Sequence, residues 1–203
     1  MTTPRKARAD DGGTRGRLIE ATAQIMHDEG YAAATSRRIA ARAGIRQPLV
    51  HYYFPTMDDL FLAVLHEGAD VALDQMRAAL TDSNPLRALW ALNSDPRRTV
   101  LNTEFMALAN HRKIIGVELK AYAERVRDME TAAVTLALRT HDIDLDTYPP
   151  IVISMLIAQI ARSLCNEEAV GVTFGHDEMR RYIEQQIGAL TKSPPPPDSA
   201  SPS

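Results

Sequence analysis

Three observations predict an all-α fold. Aromatic residues make up only 5% of the 203-residue chain, while alanine, leucine and methionine abound, a composition that suits helices. Apolar residues recur at three- and four-residue spacing, and no stretch sustains the period-two alternation of a sheet with one wet face. Capping residues and prolines then punctuate the chain at intervals of helical length. With 45% hydrophobic residues the chain can bury a real core, as one large domain or two small ones.

The elements follow in order. Residues 1–13 are polar, with Asp10–Asp11 and Gly12–Gly13, and are expected to form a disordered N-terminal arm. The first helix carries Leu18, Ala21, Thr22, Ile25 and Met26 on one side and ends at Gly30, with Tyr31 at the corner. Thr35 or Ser36 can accept from the free amides that open the next helix. Ile39, Ala40 and Ala43 form its apolar stripe, and Gly44 sits where a helix ends with φ > 0. A short helix follows from about Arg46, with Pro48 tolerated in its first turn and Val50 and Phe54 spaced to face inward. Thr56 and Asp59 make a capping-box-like start to a long helix that reaches Thr81. Asn84–Pro85 and Ser94–Asp95–Pro96 mark two further starts, predicting helices over about 85–93 and onward to about Asn110. A longer helix spans about Arg112 to Arg139, and His141–Pro149 connects it to helices over about Pro150–Glu168 and His176–Leu190. Residues 191–203, rich in proline and serine, are expected to form a disordered tail.

Helix, glycine turn and short helix between Thr35 and Leu60 make a helix-turn-helix, a device for reading DNA. The outward face of its second helix carries Gln47, Leu49, His51 and Tyr52. Between Thr35 and Met57 stand Arg37, Arg38, Arg42 and Arg46 and no acidic residue, in a chain whose formal charge is −3. The positive field is thus concentrated where phosphates would lie. Arg5, Lys6 and Arg8 of the arm either reach a minor groove or lie solvated.

Thr35, Ile39, Ala40, Ala43, Gly44, Tyr52, Phe54, Asp59 and Leu60 also stand at the fixed offsets of a known pattern. The segment resembles the TetR family of bacterial transcriptional regulators, closely over about Leu18 to Leu65; beyond that the resemblance is one of helix count and order. Three positions depart from it: Ser36 replaces an apolar residue, Pro48 a glycine or small residue, and Met57 a common phosphate-binding lysine. The resemblance implies an N-terminal three-helix DNA-binding domain with its helix-turn-helix at 14–55, followed by a larger helical ligand-binding and dimerisation domain at 56–190. It further implies a dimeric regulator of a double-stranded DNA operator, mostly a repressor, released by a small-molecule effector whose class the sequence does not show. An architectural or partner-controlled DNA-binding dimer without an effector is the alternative.

Base edges are expected to be read by Arg46, Gln47 and His51, with Leu49 against a thymine methyl. Thr35, Arg37, Tyr52 and Tyr53 are expected on phosphates, the Thr35 and Tyr52 positions by resemblance. Arg42 is expected to be a solvated charge. Trp90, Phe105, Met106, Tyr122, Met129, Met155 and Gln159 supply the mix of broad apolar surface and few polar groups that an effector cavity needs, although residues of this kind are often plain core. The helix from Pro150 is apolar nearly all round and must be buried on more than one side, within its own domain or against a second subunit. With the family's four-helix interface in view, Val152, Leu156, Ile160, Leu164, Met179, Ile183 and Ile187 are the expected contacts of a homodimer.

Other classes find little support. The start has no apolar run for a signal peptide, and IVISMLIAQIARSL is too short to span a membrane and carries Gln159 and Arg162, so a cytoplasmic protein is expected. Cys165 stands alone, which rules out an internal disulfide and a cysteine-based zinc site and leaves a buried, inert thiol. His66 and Asp70 share a helix face without a third ligand, so no metal and no cofactor is expected. No glycine-rich phosphate loop, nucleophile elbow or zinc-protease helix is present, and Glu167 and Glu168, adjacent on a helix, project in different directions; an enzyme is not expected.

Overall fold

A computed structural model describes residues 7–191. Among them are nine α-helices: α1 (Ala7–Glu29), α2 (Ser36–Ala43), α3 (Pro48–Tyr53), α4 (Met57–Leu80), α5 (Pro85–Asn93), α6 (Pro96–His111), α7 (Lys113–Thr140), α8 (Pro150–Ala169) and α9 (His176–Leu190), with a 3-10 turn at Tyr31–Ala33. No strand occurs among the described residues. The fold is all-α, with the helix-turn-helix near its N-terminus, as predicted.

Local chemistry explains where the helices begin and end. The Thr35 hydroxyl accepts from the Arg38 amide at 3.4 Å, and Gly44 closes α2 at φ 67°, ψ 34°, a conformation that costs other residues about 1–2 kcal/mol. Pro48 has no N–H, so α3 is tied down by its next two amides, Leu49 to the Arg46 carbonyl and Val50 to that of Gln47, both at 3.0 Å. The helix therefore begins two residues later than the spacing predicts. Thr56 and Asp59 complete a reciprocal capping box: the Asp59 amide donates to Thr56 Oγ1 at 3.1 Å, and the Thr56 amide to Asp59 Oδ2 at 2.9 Å. Asn84 caps α5 through the Arg87 amide at 3.1 Å.

α1 begins at Ala7, inside the stretch 1–13 expected to form a disordered arm. Gly12 and Gly13 lower helix propensity by about 1 kcal/mol each without blocking helical φ/ψ, so a glycine pair alone is a weak stop signal. Arg5, Lys6 and most of the proline-rich tail lie outside the described residues.

The chain forms two compact units. One comprises residues up to Asp74 together with Arg97–Glu124; the other comprises Gln75–Pro96 and the residues from Arg125 onward. The boundary cuts both α4 and α7. In the first unit Leu18, Ile25 and Met26 of α1, Ile39 of α2, Val50 of α3 and Leu60 and Val64 of α4 form one core. Phe105 and Leu108 of α6 and Ile115 and Leu119 of α7 belong to the same core, so the reading helices rest on more than a three-helix base. Glu104 of α6 also accepts from the Tyr31 amide at 2.7 Å, holding the corner after α1, where Gly30 adopts φ 83°. In the second unit α5 packs on α8 and α9. Leu86, Leu89 and Trp90 are buried there with Ile157, Leu164, Ile183 and Ile187, and the small residues Ala158 and Ala161 suit close helix approach.

Candidate nucleic-acid interface

The reading helix owes its placement to two buried side chains. Val50 and Phe54, one turn apart, sink into the core of the first unit, and Arg15 of α1 stacks over the Phe54 ring at 5.2 Å. Rotation about α3 is thereby fixed, and the residues between are forced outward. Arg46, Gln47 and His51 are exposed, Leu49 is 39% exposed and Tyr52 72%. Tyr53 is half-buried and meets the Tyr52 ring edge to face at 5.1 Å, which orients both. Thr35 and Arg37 are exposed at the start of α2. The eight residues expected to touch DNA thus cluster on α2, the turn and α3.

The four arginines are not equivalent. Arg38 pairs with Glu29 at the end of α1, and Arg42 with Asp28 at 3.3 Å and Glu29 at 3.4 Å. His27, and then Arg42, hold the Asp28 carboxyl below its ordinary range, so it stays ionised opposite the guanidinium. Arg37 and Arg46 have no ion-pair partner among the described residues. The segment's positive charge is therefore half answered within the chain, and the unanswered half belongs to two residues expected to contact DNA. Arg42, expected to be a solvated charge, is exposed and also paired.

Sequence reasoning missed one polar contact. Gln47 Nε2 donates to the Ser36 hydroxyl at 3.0 Å, linking the turn to the start of α2. That bond uses one of two amide hydrogens and leaves the carbonyl free, so the side chain keeps the donor and acceptor a base edge requires.

The residues expected around an effector do not come together in one unit. Phe105 lies in the core of the first unit, Tyr122 packs against that core, and Met106 is exposed. Trp90 is buried in the second unit, Met129 is half-buried, and Met155 and Gln159 are exposed. Gln159 accepts from Arg162 at 3.2 Å. Glu130, which no local pattern singles out, is 1% exposed and accepts from Asn93 Nδ2 at 3.1 Å, while Arg162 donates to Asn93 Oδ1 at 3.4 Å. Among the described residues a groove of about 490 Å³ also opens on α7, lined by Asp128, Ala132, Thr135, Leu136, Arg139 and Ile151 of α8.

Of the expected dimer contacts, Leu164, Ile183 and Ile187 are already buried in their own unit, where they hold α8 and α9 in place. Ile160 is half-buried. Val152, Leu156 and Met179 remain exposed and are joined by Ile151, Met155 and Tyr182. His66 bonds Glu118 at 3.2 Å, and no group of three metal-ligating side chains occurs among the described residues. No helix there is long and apolar enough to cross a membrane. Cys165 is buried, as expected.

Known proteins resemble the chain both in this segment and in overall fold. The family model described as "Bacterial regulatory proteins, tetR family" matches residues 18–64. The chain is 38% identical over 66 residues to the HTH-type transcriptional activator FasR of Mycolicibacterium smegmatis, covering 32% of this chain and 30% of that one. It is 33% identical over 119 residues to the HTH-type transcriptional regulator BetI of Rhizobium meliloti, covering 54% and 59%. The chain thus matches from under a third to about three fifths of these relatives' lengths. In fold it resembles a transcriptional regulator from Saccharomonospora viridis solved in complex with choline, with TM-score 0.72 and 18% identity over 87% of this chain and 96% of that one.

Proposed function

We infer, from the premise that the chain belongs to the TetR family of bacterial regulatory proteins, that it is a homodimeric, sequence-specific DNA-binding transcriptional regulator. The observation that carries this reading is the outward face of α3: Leu49, His51 and Tyr52 exposed on a helix whose opposite side is locked into the core, beside two arginines without acidic partners among the described residues. Such a face can enter a major groove while Thr35, Arg37, Tyr52 and Tyr53 meet the flanking phosphates. Arg46, Gln47 and His51 are placed to reach base edges, and Leu49 a thymine methyl.

Dimerisation is supported by the apolar stripe that Val152, Met155 and Leu156 of α8 and Met179 and Tyr182 of α9 leave uncovered. A two-fold pairing over this stripe presents two reading helices to a two-fold operator. Repression, relieved when a small molecule binds the body and disfavours the DNA-bound arrangement, is the working mechanism. A ligand achieves this only by its differential affinity for the two states. The choline complex of a structural neighbour supports a small-molecule site in a chain of this fold. Action in the cytoplasm follows from the DNA target.

Selection of random duplexes by the purified protein, with salt titration and size analysis of the winning complex, tests the reading. A two-fold motif bound by two copies is the expected result. Weak, steeply salt-dependent binding without a motif would replace it with an architectural role.

A further inference from the structure

Phe174, in the loop between α8 and α9, is 99% open to solvent. Val170 and Val172, at two-residue spacing before it, are 77% and 47% exposed. The loop that carries them is firmly built. Gly171, at φ 83°, closes α8 in a Schellman turn, its amide donating to the Glu168 carbonyl at 3.0 Å and that of Val172 to Glu167 at 2.9 Å. Beneath the loop the buried His176 ring bonds Glu167 at 2.8 Å and Glu168 at 3.3 Å, and Arg180 pairs with Glu168. An aromatic ring held out on a pre-formed loop loses little conformational freedom on docking, and it gains the burial it lacks in the single chain.

A receptor lies in the same unit. The groove on α7, about 490 Å³, has Ala132, Leu136 and Ile151 as its apolar walls, with Leu136 56% and Ile151 41% exposed, and Asp128, Thr131, Thr135 and Arg139 along its polar side. It is ample for an aromatic ring, since a cavity of about 150 Å³ holds benzene. The ring does not occupy the groove of its own chain, because it is almost wholly exposed. Yet knob and groove lie at the two ends of α8: the loop joins α8 to α9, which carry the stripe, and Ile151, exposed beside Val152 at the start of α8, lines the groove.

We propose that Phe174 is an intersubunit knob, seated in the α7 groove of a second copy of this chain, with the exchange made twice per dimer. The proposal rests on the dimeric reading above and specifies its geometry. A two-fold axis perpendicular to α8 sets the two α8 helices antiparallel. The end of one helix that bears the loop then points toward the end of the other that bears Ile151, and α8, at 20 residues, is only about 30 Å long. Each subunit thereby completes the other's groove with an aromatic side chain, the type that dominates interface energetics.

The test is directed cross-linking of the full chain. In a Cys165→Ala background, Phe174→Cys combined with Leu136→Cys should give a disulfide-linked dimer on mild oxidation, while each single-cysteine version stays non-covalent. Absence of the link, or an intrachain disulfide, in a protein that still sediments as a dimer overturns the knob and leaves the dimer standing. A protein that sediments as a monomer overturns both. Independently, Phe174→Ala removes only an exposed side chain, so folding should be unaffected. It should raise the dimer dissociation constant about a hundredfold, roughly tenfold for each of two knobs. An unchanged constant overturns the proposal.

Discussion

Replacing the arginines one at a time tests the division of charge around the reading helices. Among the described residues Arg37 and Arg46 have no carboxylate partner, whereas Arg38 and Arg42 already face Asp28 and Glu29. A cation that neutralises a phosphate releases condensed counterions and steepens the fall of log affinity with log salt by about 0.9 per contact. In a two-fold complex each substitution counts twice, so Arg37→Ala, at a phosphate contact, should flatten the slope by about 1.8, whereas Arg46→Ala, at a base edge, should chiefly lower affinity for the selected motif. Between 50 and 200 mM salt the parent should therefore lose about twelvefold more affinity than the Arg37 variant. Arg38→Ala and Arg42→Ala should change the slope much less. Their pairs are exposed and therefore weak, but turning the guanidinium toward DNA leaves a carboxylate facing the phosphates. Fluorescence anisotropy of one labelled duplex across a salt series measures all four. A slope change from Arg38→Ala or Arg42→Ala equal to that from Arg37→Ala would refute the argument, because folded-state pairing would then have no bearing on contact with DNA.

Other consequences follow from single contacts. Asp59→Ala opens the capping box and should cost about 1 kcal/mol in urea unfolding without changing the apolar core. Gly44→Ala forces an L side chain to φ 67° in the turn and should cost about 1–2 kcal/mol in the same assay. Hydrogen bonding to Glu167, with Glu168 adding to it, raises the His176 pKa above its ordinary 6.5. The stability it contributes is complete below pH 6.5 and lost as pH rises through the raised value. Glu168, lowered from 4.5 by Arg180 and then His176, contributes stability that is present above pH 4.5 and lost toward acid. His176→Gln should therefore flatten the decline in unfolding midpoint above pH 6.5, and an unaltered decline would assign it to another group.

Much of the fold was legible because its signals are local. The starts of α5 and α6 follow from Asn84–Pro85 and Ser94–Asp95–Pro96, each acting within a turn of itself. Gly44 and the Thr56–Asp59 pair worked in the same way. The division into units was not legible, because it depends on Phe105, Leu108, Ile115 and Leu119 joining a core whose other members lie some 40 or more residues earlier in the chain. The outward face of α3 could be read from Val50 and Phe54 alone. The pairing of Arg38 and Arg42 could not, since Asp28 and Glu29 sit on another helix and reach them only through the fold. The same limit applies to α8 and α9: an apolar helix shows that it must be covered, but not which of its residues its own chain covers. Leu164, Ile183 and Ile187 went inward, and Met155 and Tyr182 stayed out.

Ser36 connects a departure from the family pattern to specificity. Its position is one where the resembled family carries an apolar residue, yet here its hydroxyl receives the Gln47 amide at 3.0 Å. Two outcomes are physically distinct. If the bond competes with DNA, breaking it costs about 0.5–1.5 kcal/mol of the roughly 1–3 kcal/mol that a bidentate contact to adenine provides. If it buttresses Gln47, it leaves the second N–H and the carbonyl aimed outward. It also removes part of the conformational entropy, up to about 2 kcal/mol, that a free glutamine loses on binding. The inventory favours buttressing, because the amide has two hydrogens and adenine requires only one of them together with the carbonyl. Ser36→Ala should then weaken binding to the selected duplex several-fold, relax preference at the base pair read by Gln47, and leave binding to unrelated duplexes unchanged. Tighter binding by Ser36→Ala would show that the hydroxyl competes with the base for Gln47.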